Sequence, residues 1–286
     1  DCTYSVNKKN VFRGLHINSF GKLITCITGS FIDVMVNIQD YLNDAPKVYY
    51  YYIKPGDQIY CPGGYAHGFF SLEDNSVLSY HCEGYFGDEV GGLLNYKDPI
   101  LNIKLPEGIT HNDLIINEKD KNAPYLKYDF FLLGSSGFIG SNVLNELRKR
   151  NCKVLCLKER LHEKTKINEL LKFYRPKFFI NCAGLTGTPN ISWCDKNKFE
   201  TLKTNVVNQI DLLEICENFN THYTLLGSGA IFKNIEKAND STEGNNYDSF
   251  YSECRILLEK LVKNYNNYLL VRINYPISYK EENYNN

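Results

Sequence analysis

Two stretches of this chain collect side chains whose types and spacing could do chemistry. The first holds Arg13-Gly14-Leu15-His16, then Gly21-Lys22, then Pro62-Gly63-Gly64-Tyr65-Ala66-His67, and Tyr80. An imidazole titrates near neutrality, so a histidine facing a pocket can remove a proton without extreme tuning. An ammonium such as Lys22 can stabilise an enolate oxygen, and a phenol such as Tyr80 can act as acid on the opposite face. Each group also has a plain reading when taken singly. His67 reads as a satisfied interior residue, Lys22 as a solvated charge, and Tyr80 as one of 22 tyrosines. His16 has Asn18 two residues on rather than a second histidine, so three or four convergent ligands do not assemble and no metal is expected.

The second stretch opens with Gly134-x-x-Gly137-Phe138-Ile139-Gly140, directly after the apolar run Phe130–Leu133. Glycines at this spacing let backbone approach a pyrophosphate while a helix N-terminus offers N–H groups and partial positive charge. The next strand ends in Lys158-Glu159-Arg160. Basic groups there fit the 2′-phosphate of NADPH, with NADH the alternative and solvated loop charges the plain reading. Tyr251 and Arg255 stand at i and i+4 on one helix face, where a cation would lower the phenol's pKa. Ser228, following the strand Tyr223–Leu226, supplies a partner hydroxyl or belongs to an ordinary Gly-Ser-Gly loop.

The elements that must position these groups change character midway. Residues 11 to about 105 read as short strands broken by turns, which argues for an antiparallel barrel or sandwich. Thr28-Gly29-Ser30 and Glu73-Asp74-Asn75 read as hairpin turns, and Lys54-Pro55-Gly56-Asp57 as another turn. Beyond Tyr125–Asp129, strands alternate with helical stretches at Ser141–Arg150, Ile167–Tyr174, Phe199–Cys216 and Tyr251–Asn264. That alternation implies a doubly wound parallel sheet. The expected domains are residues 1–125 and 128–286.

With 286 residues, 43% hydrophobic and 23% charged, the composition is that of a globular protein. Lys+Arg 32 against Asp+Glu 33 removes a broad electrostatic case for nucleic acid or an anionic membrane. No apolar run reaches the roughly 20 residues that a spanning helix needs. The ten cysteines show no Cys-x-x-Cys pair, so reduced thiols in a cytoplasmic protein are expected. A first residue Asp1 and the polar tail Lys280–Asn286 read as a fragment of a longer protein.

Two family resemblances sharpen this reading. Gly56-x5-Pro62-x-Gly64-x2-His67 has the spacing of the second cupin motif, and residues 11–124 resemble the nucleotide-sugar 3,5-epimerases of rhamnose biosynthesis. The matching text includes Val11–His16, Gly21-Lys22-Leu23, Phe31–Val34, Pro62–Phe69, Leu78-Ser79-Tyr80 and Glu118-Lys119-Asp120. By that resemblance the fold is a cupin jelly roll and the substrate a dTDP- or UDP-linked 4-keto-6-deoxyglucose. His16 is the base, oriented by Asp120; Lys22 holds the enolate; Tyr80 supplies a proton; Arg13 and His67 line the substrate site. A homodimer through the barrel is implied. The loop between His16 and Gly21 is shorter than is common in the family, and the family's first strands precede residue 1.

Residues 130–278 resemble extended short-chain dehydrogenase/reductases, in particular the plant-type nucleotide-rhamnose synthase epimerase/reductase. The resemblance rests on Asn181-Cys182-Ala183-Gly184, Trp193-Cys194-Asp195, Thr204-Asn205-Val206-Val207, Ser228-Gly229-Ala230, Tyr251-Ser252 and Arg272-Ile273-Asn274. It implies that Tyr251 protonates the C4 oxygen, that Ser228 polarises it, and that Asn181, Ala183, Gly184 and Asn205 support the cofactor. Arg255 stands where the family has Lys, and the C-terminal substrate lobe is mostly missing. The joint expectation is a bifunctional 3,5-epimerase/4-reductase making nucleotide-L-rhamnose. Its rivals are a route to another 6-deoxyhexose, a reductase carrying a non-catalytic sugar-binding barrel, and a reductase disabled by Arg255.

Overall fold

Strands with alternating inward apolar residues form two antiparallel sheets in the first half of the computed structural model. Residues 1–38, 46–84, 91–188 and 190–274 are described; the polar tail named above lies outside them. The chain divides into two compact units, Asp1–Leu126 and Lys127–Asn286.

In the first unit, β1 (Cys2–Asn7), β8 (Ser76–Cys82), β3 (Lys22–Thr28) and β6 (Gln58–Cys61) make one sheet in that order. The other runs β5 (Lys47–Ile53), β4 (Phe31–Asn37), β7 (Ala66–Ser71), β2 (Phe12–Ile17) and β9 (Gly92–Leu93). Ile24, Cys26 and Leu78 of the smaller sheet pack against Phe31, Met35 and Phe69 of the larger. The larger sheet also buries its outer face, where Phe12, Val34, Val36 and Phe70 meet Leu94, Tyr96 and Leu101. Every residue of β7 is therefore buried, and any polar group it carries needs a partner.

The turns at 28–30 and 73–75 do not make the expected hairpins. β3 pairs with β6 and β8, while β4 pairs with β5 and β7, so both turns cross from one sheet to the other. Strand periodicity is the same on either side of a turn, so it cannot tell a hairpin from a sandwich corner. A register shift between Cys26 and Thr28 redirects the chain at the first corner. The two corners then bond to each other, Thr28 Oγ1 donating to the Asn75 carbonyl and Ser30 Oγ to Glu73.

The second unit is a five-stranded parallel sheet in the order β11 (Val154–Leu157), β10 (Phe130–Leu133), β12 (Phe178–Asn181), β13 (His222–Ser228), β14 (Tyr268–Ile273). The connecting helices are α2 (Phe138–Lys149), α3 (Lys164–Tyr174), α4 (Ser192–Lys196), α5 (Lys198–Leu202), α6 (Asn208–Asn218) and α7 (Phe250–Val262), after α1 (Glu118–Lys121) in the first unit. The long helix expected over 199–216 is interrupted by a π-helical turn at Lys203–Val207. In this order the strand direction of travel reverses between β10 and β12, and open sheets of this kind bind ligands in the crevice at that switch point. The glycine turn follows β10 and Asn181–Gly184 follows β12, so both expected cofactor segments border that crevice.

Candidate functional site

The two sheets of the first unit enclose a cavity of about 550 Å³. Arg13, His16, Lys22, His67 and Tyr80 line it, together with Phe20 and Lys119. Arg13 and His16 are three residues apart on one strand, a spacing that ordinarily puts side chains on opposite faces. A register shift between them resolves the conflict: Arg13 pairs with Phe69 but His16 with His67. Gly14 sits in the shift with φ +131°, and a Cβ there would lie 2.6 Å from Gly68 Cα. Only glycine lets β2 turn so close to β7.

His16 Nε2 and Asp120 Oδ1 are 2.7 Å apart. Asp120 is fully buried in α1, and its Oδ2 accepts from Gly14 N–H and Asn117 Nδ2, both at 2.9 Å. Asn117 Oδ1 in turn caps the helix by accepting from Asp120 N–H at 2.8 Å. Burial alone would raise the Asp120 carboxyl; the bonds from His16 and Gly14 outweigh it and hold the group below the usual carboxylate range. An ionised Asp120 accepts the Nε2 proton of His16, which leaves Nδ1 as the ring nitrogen able to take a proton.

A second imidazole–carboxylate pair lies deeper. His67 Nε2 is 2.7 Å from Asp33 Oδ2, with His67 4% and Asp33 0% exposed. Burial lowers the His67 pKa despite the pull of Asp33, and the Lys22 ammonium adds to the lowering, so His67 is neutral at neutral pH. Asp33 had no role in the sequence reading. The signal was there: a lone carboxylate inside the apolar run Phe31–Val36 must find a partner.

Lys22 and Tyr80 face the same cavity from the smaller sheet. Lys22 is 7% exposed. Tyr80 Oη lies 3.3 Å from Ser5 Oγ, and burial pushes its pKa far above the ordinary phenol value. That phenol keeps its proton at neutral pH and can give it to a carbanion. Among the described residues no three or more His, Cys, Asp or Glu cluster as a metal site.

In the second unit Gly134 adopts φ +77°, and a Cβ on it would sit 2.8 Å from Ala183 N. A Cβ on Gly140 would come 2.0 Å from the Gly134 carbonyl oxygen, so the helix packs onto the turn only without side chains. Gly137 is the N-cap of α2 and makes no side-chain cap bond; a Cβ there would meet only Gly134 O, at 3.5 Å. An uncapped helix start beside an open glycine fits an anionic pyrophosphate, and Phe138, Ile139 and Gly140 form the first turn. Lys158 and Arg160 are exposed just past β11.

Asn181 and Asn205 stand behind the crevice between β10 and β12, their side chains engaged inward. Asn181 Nδ2 donates to Gln209 Oε1 at 2.7 Å and to Tyr223 Oη at 2.8 Å, while its Oδ1 accepts from Ala183 N–H. Asn205, in the π turn, grips Leu185 twice, accepting its N–H at 2.9 Å and donating to its carbonyl at 2.7 Å. These side chains shape the 181–185 loop from behind. Gln209 and Tyr223 carried no sequence signal, because their partner is 28 or more residues away.

Tyr251 lies in the first turn of α7, and the Arg255 guanidinium lies over its ring at 5.1 Å. Arg255 is 6% exposed; Nη1 donates to the Leu226 carbonyl at 3.2 Å, and Nε is buried without a hydrogen-bond partner among the described residues. Gly184 leaves room for Nη2, since a Cβ there would be 2.9 Å from it. Ser228 caps the short 3₁₀ turn Gly229–Ile231, its Oγ accepting from Ala230 N–H. Ser252 Oγ donates to the Ala230 carbonyl at 3.0 Å, which ties the Tyr251 helix to the turn that Ser228 begins.

The first unit is a jelly roll with a histidine–aspartate pair at its cavity, and the second is a glycine-turn nucleotide-binding fold. Family models agree: dTDP-4-dehydrorhamnose 3,5-epimerase matches residues 1–128, and the NAD dependent epimerase/dehydratase family matches residues 130–274. The chain belongs to both families, one through each unit.

Among its relatives is a bifunctional dTDP-4-dehydrorhamnose 3,5-epimerase/dTDP-4-dehydrorhamnose reductase of Arabidopsis thaliana, 30% identical over 53% of each chain. A dTDP-4-dehydrorhamnose 3,5-epimerase of Salmonella typhimurium is 30% identical over 43% of this chain and 69% of its own. The crystal structure of dTDP-4-dehydrorhamnose 3,5-epimerase from Elizabethkingia anophelis shares 32% identity over 44% of this chain and 71% of that one, with a TM-score of 0.40. The chain spans about half, or less, of the length of the plant relatives it matches.

Proposed function

We propose that the chain converts a nucleotide-linked 4-keto-6-deoxyglucose, dTDP- or UDP-linked, to the nucleotide-L-rhamnose by 3,5-epimerisation followed by reduction at C4. The observation that carries this reading is His16, held from behind by the buried Asp120, facing one cavity with Lys22 and Tyr80. His16 Nδ1 removes the protons α to the C4 ketone, at C3 and C5, and Asp120 stabilises the imidazolium that forms. Lys22 neutralises the enolate oxygen at C4. Tyr80, held protonated by burial, gives a proton from the other face at each centre in turn, and exchange with solvent returns the imidazolium to the free base and the tyrosinate to the phenol between the two. Arg13 and neutral His67 hold the rest of the substrate along the same walls.

NADPH, when bound, supplies hydride to C4. Gly134, Gly137 and Gly140 would admit its pyrophosphate, and the exposed Lys158 and Arg160 just past β11 would meet a 2′-phosphate, which supports NADPH over NADH. Tyr251 gives the C4 oxygen its proton, and Ser228 polarises that oxygen. Arg255 keeps a positive charge beside the phenol ring but commits Nη1 to the Leu226 carbonyl. The barrel is the dimerising unit in this reading, and the ten free thiols suit a reducing cytoplasm.

The test incubates the full chain with each 4-keto sugar in D₂O, with and without NADPH. Deuterium should enter C3 and C5 without NADPH, and rhamnose with NADPH oxidation should follow when it is added. Absence of exchange removes the epimerase; exchange without NADPH oxidation removes the reductase.

A further inference from the structure

The residues on either side of Tyr251 are each tied to a different loop. Ser252 reaches the Ala230 carbonyl, as described above. Phe250, on the other side, gives its backbone N–H to Asp195 Oδ1 at 2.8 Å. Asp195 belongs to α4, which packs on α7 through the fully buried Cys194. A second contact reaches the same helix start from the adjoining α5: the Lys198 ammonium lies 5.2 Å above the Phe250 ring. Ser249 Oγ already serves the Ser252 N–H as the helix cap, so the Asp195 carboxylate is an additional acceptor at the same helix start. Being exposed and acidic, Asp195 contributes no apolar burial that would explain its place.

We propose that Asp195 is the positioning residue for Tyr251, locking the first turn of α7 so that the phenol meets the substrate carbonyl at a fixed distance. This rests on the reading of Tyr251 as the proton donor. Asp195 touches no reacting atom; it acts through the Phe250 N–H. Its charge also complements the positive end of the helix, but a dipole effect alone would be lost in an amide variant, whereas the hydrogen bond would not. The carboxylate thereby makes the loop that follows β12 and the helix that carries the acid move as one piece.

The experiment compares Asp195→Ala and Asp195→Asn with the parent, full-length chain in reduction of the epimerised 4-keto sugar by NADPH. An error of about 1 Å in placing a catalytic group costs roughly 10²-fold, so Asp195→Ala should lose about 10- to 100-fold in kcat. The KM for NADPH should stay within about twofold, and Asp195→Asn should recover to within about threefold of the parent, because its amide oxygen accepts the same bond. Amide hydrogen exchange at Phe250, read in parallel, should quicken in the alanine variant alone.

An unchanged kcat in Asp195→Ala overturns the proposal, and so does an asparagine variant as slow as the alanine one. Faster exchange at Phe250 with unaltered kcat makes the bond structural only and also overturns it. A parent that turns over no substrate while Phe250 still responds to Asp195→Ala sinks the reading of Tyr251, and the positioning role with it.

Discussion

The acid–base chemistry proposed for the first unit depends on how few atoms hold His16. Both Asp120 oxygens are used, one for the imidazole and the other for Gly14 and Asn117. Asparagine has a single acceptor oxygen, so Asp120→Asn cannot serve both sides or stabilise an imidazolium. Deuterium exchange into the substrate should fall about 10²- to 10⁴-fold, the range that positioned acid–base groups supply. Exchange within tenfold of the parent would detach Asp120 from the mechanism.

Titration gives a second residue-level outcome. His67 has its pKa lowered by burial, so below the ordinary value of 6.5 the unfolded chain takes up a proton that the folded chain refuses. Its contribution to stability is therefore complete above 6.5 and is lost as pH falls beneath it. Asp120, depressed by its bonds, contributes above its ordinary value of 3.8 and is lost only as pH drops below that. Denaturant midpoints between pH 7 and 5 should decline in the parent and decline less in His67→Gln.

At the scale of elements, the glycine turn works through contacts that no side chain can enter. Gly140→Ala forces a Cβ to 2.0 Å from the Gly134 carbonyl, so the helix must retreat from β10. Overpacking of this kind costs about 1–3 kcal/mol. NADPH affinity should drop with it, because the displaced element is the start of α2 itself. Fluorescence titration with NADPH and thermal unfolding should both move; an unaltered affinity would place the pyrophosphate elsewhere. The π turn at 203–207 is the same kind of device, since it aims Asn205 at Leu185 from a helix that would otherwise carry it past.

At the scale of the whole molecule, the proposed chemistry falls in two separately packed units, Asp1–Leu126 and Lys127–Asn286. Changes in independent sites add without coupling. Asp120→Asn should leave NADPH affinity unchanged, and Gly140→Ala should leave deuterium exchange unchanged. Loss of both functions from either substitution would show that the units depend on each other. The sequence by itself determined the two fold classes and the glycine turn, because period and turn residues are local properties, and it pointed to His16, Lys22, Tyr80, Tyr251 and Asp120 as a set only through the two family resemblances. Only the tertiary structure decided that Thr28–Ser30 is a corner and not a hairpin, that a register shift brings Arg13 and His16 to one face, that Asp33 answers His67, and that Asp195 reaches Phe250. Those outcomes depend on which strands and loops become neighbours across 34 to 55 residues of chain, and spacing along a sequence carries no record of that.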